Sequence, residues 1–168
     1  PTMGNPTDIY GPPDADVLSL GDSGVAVVTF PHTIFNGSGP DFAVFENAFA
    51  DPLNDTMAYL ELAFVEVSSD GINFFRFPAS CLMQDTVQID NFTYSDARFY
   101  DNLAGKYLTG YGTPFDLDEL KGTPGLDVNQ VSHIRIVDVV GSIDPQYASK
   151  DKDGRIINAP YPANFASG

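Results

Sequence analysis

Several polar side chains in this chain stand where oxygen ligands for a hard cation would be wanted. In "SKDKDGRII", residues 149–157, Asp151 and Asp153 alternate and Gly154 follows. Alternate carboxylates on a sharp turn point at one centre, as the middle of an EF-hand loop does around Ca²⁺. Ser149 stands where the first Asp of such a loop would be and Pro160 where its bidentate Glu would be, so a complete EF-hand is excluded. What remains is a partial loop completed by distant carboxylates, or a solvated acidic turn. In "FENAF", Glu46 and Asn47 close an apolar run, and Asp138 interrupts "RIVDVV". Polar groups inside apolar strands must find partners. A Ca²⁺ held by Glu46, Asn47 and Asp138 would provide them, and so would loop amides.

A second chemistry is stacking. "NFTYSDARFYDN" and "KYLTGYGTPF" place Tyr94, Tyr107 and Tyr111 among Asp, Asn and Arg in loop-like stretches. Exposed tyrosines beside hydroxyl-binding side chains suit a sugar ring. The competing reading is that these rings cover the end of the core. "NDT" at Asn54, "NGS" at Asn36 and "NFT" at Asn91 match the N-glycosylation triplet. Thr56 in "DTM" and Thr86 in "DTV" match an Asp-Thr-apolar acceptor of bacterial O-glycosylation.

Catalytic patterns are weak. Cys81 is the single cysteine and sits in apolar "PASCLM", which suits a buried small hydrophobe and excludes an intramolecular disulfide. A thiol nucleophile would need a histidine, and His32 and His133 both lie in strand-like runs. "GDSG" at residues 21–24 matches a serine-protease motif in letters only, because it precedes the first strand. No nucleophile elbow, metalloprotease helix or phosphate loop is present. The expectation is a non-enzymatic protein.

Charge narrows the partners. The chain has 23 acidic and 8 basic residues in 168, a net charge of −15. Phosphate recognition needs clustered Lys and Arg, so nucleic acid is excluded. Anionic lipid is disfavoured for the same reason, and no run reaches 18 apolar residues, so no membrane insertion is expected. Carboxylate excess favours bound cations such as Ca²⁺.

The elements that must position these groups read as strands. Fifteen Gly and 13 Pro punctuate the chain, which predicts many turns and few long helices. Strands are predicted near residues 25–30, 42–46 and 132–139, with two more flanking Ser69, Asp70 and Gly71. In "ELAFVEV", Leu62, Phe64 and Glu66 share one face and Ala63, Val65 and Val67 the other. Both faces are largely apolar, so this strand should be central and covered on both sides. "PFDLDELKG" predicts one short helix near residues 114–121, with acids at its start and Lys121 and Gly122 at its end. Residues 1–16 and 142–168 read as loops, with Ile156, Tyr161 and Phe165 packing back on the body. The expected fold is all-β: one domain over residues 1–168, an antiparallel β-sandwich in which two half-apolar sheets cover each other.

"VEVSSDGINF" and "HIRIVDV" resemble strands of discoidin-like, galactose-binding-like jelly rolls. With "LSLGDSGVAVVTF", "GPDFAVFENAF" and "NLAGKYLTGYGTPFDLDEL" they are similar, over about 125 residues, to a family of bacterial secreted or cell-surface proteins. The resemblance implies a jelly-roll topology, an extracellular location and, as in discoidin-like domains, a structural Ca²⁺ near a sheet edge. It also implies a further strand beyond "NFASG", whose absence would leave a sheet edge open to strand addition. The expected role is a structural or adhesive surface module that associates with itself or with other surface proteins. The alternative is a surface module that binds a carbohydrate or another nutrient.

Overall fold

The computed structural model describes residues 3–12, 14 and 16–162. Eleven strands follow in order: β1 (Val25–Ile34), β2 (Phe42–Val44), β3 (Phe49–Asp51), β4 (Asn54–Tyr59), β5 (Ala63–Ser68), β6 (Phe75–Arg76), β7 (Ser80–Cys81), β8 (Tyr100–Asp101), β9 (Leu103–Ala104), β10 (Thr113–Phe115) and β11 (Val131–Asp138). The main sheet runs β1-β11-β5-β6, with β9 sharing the outer side of β5. β2–β10, β3–β4 and β7–β8 form separate antiparallel pairs. Among the described residues no α-helix occurs, only two 3-10 turns.

Strand β5 is central, and its two faces build two cores. Val65 and Val67, fully buried, pack with Phe77, Phe115, Leu117, Val131 and Ile134. Phe42 and Val44 of β2 pack against this cluster and Phe115 of β10 belongs to it, so the small pair covers the main sheet as the second layer of a sandwich. Phe42, Phe77 and Phe115 meet with ring centroids 4.9–5.9 Å apart. Burying each such ring contributes about 1.5–3 kcal/mol. On the opposite face, Leu62 and Phe64 pack with Leu60, Tyr100, Leu103, Val139 and Ile157. The alternation in "ELAFVEV" therefore separates the two cores as expected.

The β5–β6 hairpin is closed by side chains more than by backbone. Ser68 Oγ accepts from Gly71 N at 2.9 Å, and Asp70 Oδ1 accepts from Ile72 N and Asn73 N at 2.8 Å. These bonds hold the Asp70 carboxyl far below the usual carboxylate range, the Asn73 amide contributing most. Gly71 has φ +73°, and a Cβ there would lie 2.8 Å from the His133 ring. Glycine is thus required both by conformation and by the close approach of β11.

Three expectations change in detail. "PFDLDELKG" forms strand β10 through Thr113–Phe115, and only then a 3-10 turn at Leu117–Leu120. Residue Pro114 lies opposite Ala43 in the β2–β10 pair, and Asp116 caps the turn by accepting from Asp118 N at 2.9 Å. Acidic residues and a terminal Lys fit a helix start and end, but Phe115 and Leu117 are both buried beneath the sheet, which draws the segment extended. Second, β1 is longer than expected, continuing past Phe30 through a register shift between Thr29 and Ile34. Third, Ile157, not Ile156, is the fully buried residue of the last loop. Phe165 and the strand expected after "NFASG" concern residues outside the described ones.

Candidate functional site

The end of β11 and the β4–β5 link bring carboxylates together. "GDSG" has a structural task here: Gly24 N donates to Gly21 O at 2.7 Å, and the turn presents Ser23 N to Asp138 Oδ2 at 3.1 Å. A Cβ on Gly24 would meet Leu20 O at 2.0 Å, so the turn closes only with glycine there. Asp22, Glu61 and Asp138 line one small cleft of about 40 Å³, with Tyr59, Leu62 and Tyr161. Burial pushes Asp138 up to about 6, the Ser23 amide holds it down in part, and Asp22 raises it further.

Glu46 follows β2 and lies beside Glu61 and Tyr59. Its Oε2 is buried with no hydrogen-bond partner. Burial raises its pKa to about 8; the Asn47 and Ala48 amides oppose this and the Glu61 charge adds to it. Burial, Glu61 and Glu46 together push Tyr59 up to about 12. At neutral pH Glu46 therefore carries its proton, and the region holds fewer charges than its composition implies. Among the described residues, no three His, Cys, Asp or Glu side chains form a group able to hold one metal ion. Glu61 and Asp22 are the neighbours that sequence reading missed. Glu61 carried the same signal as Asp138, a lone acid inside an apolar run.

Asp151 and Asp153 do different work. Asp151 is buried, and its oxygens accept from Asp153 N and Arg155 N at 2.9 Å and from Cys81 N at 3.0 Å. Burial raises its pKa, yet these bonds and Arg155 outweigh it, so the net shift is downward. Asp151 fastens the 150–156 loop, whose ends meet at the Lys150–Ile156 bridge, onto β7. Asp153 is exposed and pairs with Lys152 at 2.9 Å and Arg155 at 3.7 Å. Asp151 is thus engaged by backbone amides and Asp153 by two basic side chains.

No protein-family model, curated protein or solved structure matches the chain. Function therefore rests on the geometry.

The tyrosines separate. Tyr94 is half-buried, whereas Tyr107 and Tyr111 are exposed, with Lys106 Nζ 5.7 Å from the Tyr107 ring. Their loop is tied to the Glu46 segment by the Ala48–Leu108 bridge and by Thr109 N donating to Ala48 O at 2.9 Å. Exposed Phe45 and Phe49 flank that junction. Thr56 and Thr86 are exposed, each hydroxyl donating to a neighbour, Asn54 Oδ1 and Gln84 Oε1. Asn54 is exposed, Asn91 is buried, and Asn36 is half-buried, donating to Asp118 at 2.7 Å.

A residue with no sequence signal organises the side of the sandwich below this site. Asn158 is fully buried. Its Nδ2 donates to Gln84 O and Val87 O at 2.7 and 2.8 Å, and its Oδ1 accepts from Ile89 N at 3.1 Å. One amide thereby pins the 84–89 loop to the last described segment.

Proposed function

We propose that this protein is a non-enzymatic module of the bacterial cell surface, structural or adhesive, that associates with itself through the open edge of its main sheet. Strand β1 carries this reading. It has ten residues, pairs with β11 on one side, and has no described strand on the other. Its exposed residues include Val25, Val27 and Phe30, at 56%, 49% and 44% exposure. A long apolar edge is a template for strand addition. Pro31 and the register shift after Thr29 make the far half irregular, so residues 25–30 form the competent stretch. The cell-surface location is supported by the sequence resemblance.

Net charge opposes this association. Two copies at −15 repel, and salt or Ca²⁺ relieves the repulsion. Association is therefore expected to rise with ionic strength and with Ca²⁺. Sedimentation velocity at low and high salt, with and without Ca²⁺, tests it. Val27→Lys, which charges the edge, should keep the protein monomeric. Monomers under every condition would defeat the proposal.

A second reading, a surface module binding neutral carbohydrate, is favoured by the exposed rings of Phe45, Phe49, Tyr107 and Tyr111 on adjoining segments. A glycan array probed with the native protein and with Tyr111→Ala separates the two readings. Hits lost in the variant support the second one.

A further inference from the structure

The basic residues are few, and they are not spread evenly. Arg76, Arg135, Lys150, Lys152 and Arg155, five of the eight in the chain, lie on β6, on β11 across β5 from it, and in the 149–156 loop. Glu66, Asp151 and Asp153 offset three of them, which leaves this patch two charges positive on a chain of −15. Within it lies a cleft of about 330 Å³, lined by Arg76, Lys150 and Lys152, by the acidic Asp151, and by the apolar Phe64 and Phe77. That is roughly twice the about 150 Å³ that accepts a benzene-sized guest.

The lining is held in place from behind. Glu66, buried, faces Arg76 on β6 and Arg135 on β11 in register. It accepts from Arg76 Nε at 2.8 Å and pairs also with Arg135. The Arg76 guanidinium lies 3.9 Å from the Phe64 ring centroid. Arg76 is thus oriented on two sides while its side chain stays 42% exposed, and the fork keeps N–H groups for a ligand. Lys150 is exposed, and among the described residues its side chain makes no ion pair or hydrogen bond. Lys152 is anchored through its backbone N–H on Ala79 O at 2.9 Å, and Asp151 clamps the loop to Cys81.

We propose that this cleft binds a small carboxylate-bearing ligand, of the size of an acidic monosaccharide or a hydroxy acid, with Arg76 and Lys150 as its principal partners. Size follows from charge. At physiological ionic strength the screening length is about 8 Å. A single carboxylate in the cleft meets the cations within that distance, while much of the acidic surface is screened. A polyanion, or a second copy of this chain, would bring many charges against the rest of the −15 surface. The reading is independent of edge-strand association.

Titration calorimetry with glucuronate and citrate as probes, and glucose as the uncharged counterpart, tests it. Saturable binding of glucuronate or citrate is expected, with glucose at least tenfold weaker and affinity falling as salt rises. Lys150→Gln should weaken binding roughly tenfold, as loss of a charge-assisted hydrogen bond does. Arg76→Gln should weaken it at least as much. Among the described residues the Lys150 side chain has no hydrogen-bond or ion-pair partner, so its variant reports on binding even if Arg76→Gln disturbs the fold. No saturation by either acid, equal binding of glucose, or affinity unchanged in Lys150→Gln would each overturn the proposal.

Discussion

Glu46 offers the sharpest test of how this fold handles its acid excess. Its buried Oε2 has no partner, and its pKa is raised from 4.5 to about 8 by burial first and then by Glu61, against the Asn47 and Ala48 amides. A carboxyl with a raised folded pKa keeps its proton in the native state after the unfolded chain has lost it. Its contribution is fully present below about pH 4.5 and is lost as pH rises toward 8. Each pH unit in that window removes about 1.4 kcal/mol, or about 3 kcal/mol by pH 7. Glu46→Gln keeps the shape, and its carbonyl can accept from the same amides, but it cannot ionise. The variant should equal the native protein near pH 4.5 and exceed it by about 3 kcal/mol at pH 7. Urea unfolding at several pH values measures this directly. A stability difference independent of pH would refute the reasoning. Repeating the series with Ca²⁺ adds a second reading: an ion held at Glu46 would restore native stability at pH 8 and leave Glu46→Gln unaffected.

Gly71→Ala should destabilise by about 1–2 kcal/mol through its φ of +73° alone, and by more because the methyl meets His133; thermal unfolding reads the sum. Asn158→Ala orphans the partners that tie down the 84–89 loop and should cost about 2–4 kcal/mol, with hydrogen exchange of the Ile89 amide rising more than that of β5. Glu66→Leu leaves two half-exposed arginines without their shared carboxylate and should cost about 1.5–3 kcal/mol, measured by urea unfolding at neutral pH. Asp70 has a strongly lowered pKa, so its contribution is present above the unfolded value and is lost as pH falls through the folded one. Asp70→Asn should therefore flatten the acid limb of the stability profile.

What could be read without coordinates was largely what is local. Alternation in "ELAFVEV" determined that β5 is covered on both faces, because side chains on a strand point to opposite sides whatever lies beyond them. The Ser68–Asp70–Gly71 hairpin followed from turn chemistry within six residues. Glu46 and Asp138 stood out as acids beside or inside apolar runs that must find partners. Which partners they met was decided only by tertiary structure: Glu61 and Asp22 come from other segments, and nothing in their spacing to Glu46 or Asp138 encodes that meeting. The same holds for Asp151. Its sequence pattern suits a cation, and that the fold also turns three backbone N–H groups toward it could not be read from that pattern. Asn158 and the Arg76–Glu66–Arg135 row lay beyond local reading for the same reason. Their partners lie up to 74 residues away in the chain, and long-range pairing is set by how the sheet closes, not by neighbouring letters.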